Sequence, residues 1–305
     1  MPLHTLLLTG LSGDNPLAFL AALGALRTAR RVADSEIRLY WMPYKNSWCP
    51  ALQGDDGFLS SADEISTAFH LSLVKENPAF SMAANANNPK LPAMDFRAVA
   101  QDALENWFDA SFPEFVSFVT ALGNESVIDE NGKNEDTAFR TMSGAGHQHF
   151  LAFMRELAMA TTKENIHEAL FGPWKYNDTQ YCMRWAPEDD RRYALRWDNP
   201  SGDPARSVRG ANRLAVEGLP LYPTVPTTKT LATTGFTGKN WTWPLWTTAV
   251  SIDVCRSLLA HAELQEEKPT MEKLKPIGVF VVFRSQRITL GKFRNFTPAT
   301  IVGEF

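Results

Sequence analysis

The sequence predicts an α+β protein, a mixed sheet with several helices forming one continuous fold. Three observations predict it. Apolar residues recur at helical spacing in several stretches, and β-like runs stand near both ends of the chain. Proline- and glycine-marked loops separate these stretches without an internal repeat. No linker marks a domain boundary, and if the chain divides into lobes they are 1–140 and 141–305.

The chain opens on a short β-like stretch, Leu3 to Leu8, and the glycine turn Gly10-Leu11-Ser12-Gly13. Asn15 is a good N-cap and Pro16 suits the first helical position, so a helix is predicted through LAFLAALGALRTARR. Leu17, Phe19, Leu20, Leu23 and Leu26 leave its start without a polar face, which predicts burial, and Gly24 admits a close neighbour. Arg27, Arg30 and Arg31 end it on charges that suit the negative pole of the helix dipole. Glu36 to Trp41 reads as a strand. Ser61 to Val74 and Asp95 to Leu122 have helical spacing, with Pro113 interrupting the second. Asn124 to Asp136 is acidic and polar and reads as a mobile surface loop.

Phe150, Met154 and Leu157 share one helical face. Gln180 to Trp185 and Tyr193 to Trp197 read as two strands of a hairpin, and SVRGANRLAVEGL as a helix. Pro220, Pro223 and Pro226 predict an extended loop. Ser251 to His261 is a further helix, followed by a charged linker. Ile277 to Phe283 is apolar throughout and predicts a central strand, with Arg287 to Phe293 as its neighbour.

The 305 residues are 44% hydrophobic and 21% charged, an ordinary globular balance. A net charge of −4 argues against a protein that coats nucleic acid through bulk positive charge, so any anion site must be local. Cys49, Cys182 and Cys255 lie far apart with no CxxC, which points to neither a zinc site nor a disulfide framework and fits a reducing cytoplasm. The start of the chain does not read as a secretory signal. No apolar run reaches the roughly 18 residues a membrane span requires.

Chemistry concentrates between Trp174 and Phe236. Arg184, Arg191, Arg192, Arg196, Arg206, Arg209 and Arg213 are interleaved there with Trp185, Tyr193 and Trp197, almost without lysine. A guanidinium is a planar fork that binds phosphate bidentately and stacks on rings, so these seven are the candidate nucleic-acid contacts. The competing reading is a hairpin with a charged outer face and core tryptophans. Gly144 and Gly146 precede a helix start, and backbone N–H groups there can cradle a phosphate; a plain tight turn is the alternative. His147 and His149, two apart, have poor metal-ligand spacing for a helix, and no catalytic motif occurs, so neither enzyme activity, metal nor cofactor is expected. Two alternatives remain. One is an enzyme with a site around Gly144 to His149, and the other is an adaptor that binds only protein through Trp241, Trp243 and Trp246.

Three phrases, Leu8 to Arg27 (LTGLSGDNPLAFLAALGALR), Arg209 to Thr224 (RGANRLAVEGLPLYPT) and Leu231 to Phe236 (LATTGF), resemble the large or accessory interference subunits of CRISPR type I-G systems, formerly type I-U. The resemblance implies a cytoplasmic, non-catalytic part of an RNA-guided antiviral complex. Its expected partners are the other effector subunits, crRNA and target DNA, and a recruited helicase-nuclease, with no membrane involved.

Overall fold

The computed structural model describes residues 4–55, 57–74, 88–106, 114–142, 149–187, 206–228, 230–290 and 293–304. Everything central in it packs on the first helix, α1 (Pro16–Val32). Asn15 caps it, its side-chain oxygen accepting from the Ala18 amide at 3.1 Å, and Pro16 fills the first turn as predicted. Every residue from Pro16 to Ala29 is buried, which makes α1 a core helix on all sides. Arg27 does not face solvent at the helix end. It is 4% exposed, lies over the Phe118 ring and pairs with Glu114 at 3.3 Å.

Two antiparallel sheets flank this helix. In the first, β1 (His4–Leu7) and β2 (Arg38–Tyr44) both pair with β3 (Ser47–Gly54). The second is built on β10 (Val279–Leu290), with β9 (Asn240–Trp246) and then β8 (Phe236–Thr237) on one side. On the other side lie β12 (Thr300–Glu304) and, against the far half of β10, β11 (Phe293–Phe296). The sheets are joined where Leu39 and Val250 exchange backbone hydrogen bonds of 2.9 and 3.0 Å. Phe19 of α1 fills the angle between them, stacked on Trp41 at 5.5 Å and surrounded by Trp241, Trp243 and Trp246.

The remaining helices are α2 (Ala62–Leu73), α3 (Ala93–Glu105), α4 (Phe115–Leu122), α5 (Phe150–Ala160), α6 (Lys163–Phe171), α7 (Arg209–Gly218), α8 (Ile252–Leu259) and the single turn α9 (Met271–Leu274). α7 lies against α1 at backbone contact. A β-carbon on Gly24 would stand 1.7 Å from the Leu214 carbonyl oxygen, and one on Gly218 would stand 2.5 Å from that of Leu20. One contiguous apolar core therefore draws on both 1–140 and 141–305. No helix among the described residues is long and apolar enough to cross a membrane.

Several segments differ from expectation. The acidic stretch read as a mobile loop is a hairpin of β4 (Gly123–Ile128) and β5 (Asn134–Asp136). Its anchor is Asn134, fully buried, which accepts from the Leu91 amide at 2.7 Å and donates to the carbonyls of Pro89 and Glu135. The proline loop carries a 3-10 turn (Leu219–Leu221) and β6 (Thr224–Pro226), which pairs with β7 (Leu231–Thr233). Residues 180–185 form no strand. Their backbone is satisfied by side chains and loops instead: the Met183 amide donates to Asn212 at 3.0 Å and its carbonyl accepts from Thr141 at 2.8 Å. The other half of that predicted hairpin, 193–197, lies outside the described residues.

Candidate nucleic-acid interface

Among the described residues, the arginines singled out in the sequence do not converge. Arg191, Arg192, Arg196, Gly144, Gly146 and His147 lie outside the described residues. Arg206 is exposed. Arg209 clamps Asp178, with its Nε at 2.7 Å and Nη2 at 3.3 Å, donates to the Ala160 carbonyl and stacks over Tyr181. That bond to Asp178 holds the Arg209 pKa above its ordinary value. Burial opposes ionisation of Asp178, yet Arg209 and the amides of Gln180 and Tyr181 outweigh it and keep the carboxyl low.

Arg213 is 1% exposed. It donates to the fully buried Glu217 at 2.8 Å and to the Leu73 carbonyl at 3.0 Å. The expected phosphate contacts at Arg209 and Arg213 are thus corrected, since carboxylates of the same chain already neutralise both. Arg184, 8% exposed, is committed as well: its guanidinium lies 3.4 Å from the Phe293 ring centroid. The three tryptophans considered as interface anchors belong to the core. Trp241, Trp243 and Trp246 have no exposed surface, and two of their indole N–H groups donate inward, Trp243 to Gly13 and Trp246 to Leu39. His149 precedes α5, and among the described residues no three His, Cys, Asp or Glu side chains are grouped to hold a metal.

A different set of arginines does come together. β10 runs past the strand predicted from sequence and turns back as β11, which pairs Arg287 with Phe296 and Thr289 with Arg294. Directly opposed residues share a sheet face, as do residues two apart, so Arg287 and Arg294 project from the same face. The loop after β5 supplies Arg140, bound to the Asp136 carboxylate and donating to the Met142 carbonyl at 3.0 Å. Arg287 donates to the Ala138 carbonyl, and Arg294 reaches that of Arg140 at 3.4 Å. Arg184 sits on the neighbouring Phe293, which bridges to Met142.

Burial and mutual repulsion perturb this group. Burial and then repulsion from Arg294 draw the Arg287 pKa down to about 10. Arg294 is lowered for the same reasons, burial first and Arg140 second. Burial raises Asp136 despite the pull of Arg140 and Arg294. Glu135, the other carboxylate that Arg294 feels, also takes Lys90 at 3.3 Å. Guanidinium groups gathered on one side of a hairpin can bind an anion with several acceptor oxygens. Arg287 and Arg294, both half-buried, are the members at the surface, with Arg140 and Arg184 set deeper.

Sequence reading missed Arg287 and Arg294, although a signal was available. RITLGKFR is a two-strand pattern around a glycine, and pairing it as a hairpin places both arginines on one face. No protein-family model matches this chain, and no curated protein matches it.

Proposed function

We propose that this chain is a non-catalytic subunit of an RNA-guided, DNA-targeting CRISPR effector of the type I-G kind, acting in the cytoplasm. In this reading it grips nucleic-acid backbone and is held in place by neighbouring subunits. The observation that carries the nucleic-acid part is the shared face of Arg287 and Arg294, with Arg140 bound to Asp136 behind them. The three resembling phrases support the kind of complex. An acidic chain with one local cationic face suits a component whose partners supply the rest of the binding channel. Backbone contacts of this type give affinity without sequence readout, the division of labour expected where a guide RNA does the reading.

The test is Arg287→Ala with Arg294→Ala, titrated against duplex and single-stranded DNA over a salt series. Each lost phosphate contact should reduce the slope of log K against log salt by about 0.9 on duplex and about 0.7 on single strands. The double variant is therefore expected to bind more weakly and with a slope shallower by about 1–2. Unchanged affinity and slope would remove the arginine face from the reading.

A further inference from the structure

A cleft of roughly 600 Å³ opens at the head of α1, away from the arginine face in sequence and built from other elements. Its polar side is Thr9, Ser12, Asp14 and Asn15, whose side-chain oxygen caps α1, and its aromatic side is Trp174 and Tyr176. Most of the remaining lining is small or apolar, Pro173, Pro187, Pro298 and Ala299 among it.

The hydrogen-bonding inventory points one way. The Thr9 hydroxyl spends its proton on the Phe171 carbonyl at 2.9 Å, and the Ser12 hydroxyl is shared with the Asp14 carboxylate and the Ser47 hydroxyl. The Trp174 indole N–H is spent on the Ala169 carbonyl at 3.0 Å. What these three offer a guest is oxygen lone pairs and ring surface, with the Asp14 carboxylate as the strongest acceptor. No lysine, arginine or histidine appears among the described lining residues. Trp174 and Tyr176 stand edge to face with centroids 5.8 Å apart, an amphipathic wall for a flat ring. The volume falls within the range of about 300–1,000 Å³ usual for small-molecule sites, and a lysine or arginine tip would leave most of it unfilled.

We infer that this cleft receives an unstacked nucleobase carrying an exocyclic amino group, stacked on one of the Trp174 and Tyr176 rings with its edge toward the other and its amino N–H donating to Asp14. The inference rests on the nucleic-acid reading above and deepens it. The arginine face would hold the phosphate chain, while the cleft would take one base out of it and favour adenine, cytosine or guanine over thymine or uracil.

The test uses the full chain and fluorescence anisotropy of labelled single-stranded decamers: oligo(dC), oligo(dT) and an abasic decamer of equal length and charge. Oligo(dC) should bind about tenfold tighter than the abasic strand, the scale of one base on an aromatic platform. Tyr176→Ala should abolish that difference while leaving the abasic strand's affinity unchanged. Asp14→Asn, nearly isosteric and at an exposed position, should erase the preference for oligo(dC) over oligo(dT) without changing the melting temperature, because a carboxamide both accepts and donates. Equal binding of oligo(dC) and abasic strands would overturn the cleft while leaving the backbone reading intact. Equal losses on both strands in Tyr176→Ala would also overturn it. Failure of every strand to bind would defeat both readings. Displacement of oligo(dC) by an arginine-rich peptide that leaves the abasic complex intact would assign the cleft to a cationic protein partner instead.

Discussion

Replacing Arg213 with alanine should cost the protein stability and reveal nothing about nucleic acid. The side chain is 1% exposed and its partner Glu217 is fully buried. Without the guanidinium, Glu217 loses the 2.8 Å bond from Nη1 and keeps Arg31, at 2.6 Å, while the Leu73 carbonyl loses its donor. Breaking a buried pair by removing one partner costs about 3–5 kcal/mol, because the surviving charge stays out of water. At about 2–4 °C per kcal/mol for a chain approaching this size, the melting temperature should fall by about 6–20 °C. Arg206→Ala, at an exposed position, is the control and should stay within about 0.5 kcal/mol of the parent. Thermal melts followed by circular dichroism give the comparison, with DNA binding measured well below both transitions. An Arg213→Ala protein that melts within 2 °C of its parent would refute the assignment of Arg213 to the core.

Other outcomes follow from the same structure. Gly24→Ala gains about 1 kcal/mol of helix propensity but drives a methyl into the Leu214 backbone, which cannot swing aside. A net loss of about 2 kcal/mol in denaturant melts is expected, against no loss for Gly57→Ala, which meets nothing within 4 Å. Burial opposes the Glu217 charge, but Arg31 and Arg213 outweigh it and hold its pKa far below the ordinary 4.5. Its stabilisation is therefore complete above about pH 4.5 and is lost as the pH falls below that; Glu217→Gln should be less stable at pH 7 and show a flatter acid decline. Cys49, Cys182 and Cys255 are all buried, and burial pushes the Cys49 thiol up to about 11 and Cys255 higher still. A disulfide reagent at pH 8 should label three thiols promptly in guanidinium and none promptly in the native protein.

Helix α1 was legible because its signals are local: a cap, a proline and an unbroken apolar surface act within one or two turns. α7 was legible for a similar reason, since its glycines lie at positions where it meets α1 and α6. The arginines were misread because composition counts side chains without asking what neutralises them. Asp178 is 31 residues from Arg209 in sequence, and the Leu73 carbonyl is 140 from Arg213. Arg287 and Arg294 were passed over for a geometric reason. The apolar run was assumed to end the strand at Phe283, whereas β10 continues to Leu290, well beyond the usual five or six residues. Only that continuation brings the two arginines to one face. The hairpin at 123–136 was hidden in the same way, because its anchor Asn134 draws on Pro89 and Leu91, remote in sequence.

The meeting of α1 with α7 also bears on how the chain is made. During translation α1 leaves the ribosome some 180 residues before α7 does, a wait of about 10–40 s at bacterial or eukaryotic elongation speeds. Throughout that interval a helix with no polar side near its start has neither α7 nor the tryptophans of β9 to cover it. Nascent chains stalled before residue 209 should therefore be the forms that engage chaperones or precipitate, and carboxy-terminal truncations should fail in expression far more often than trimming at Thr300.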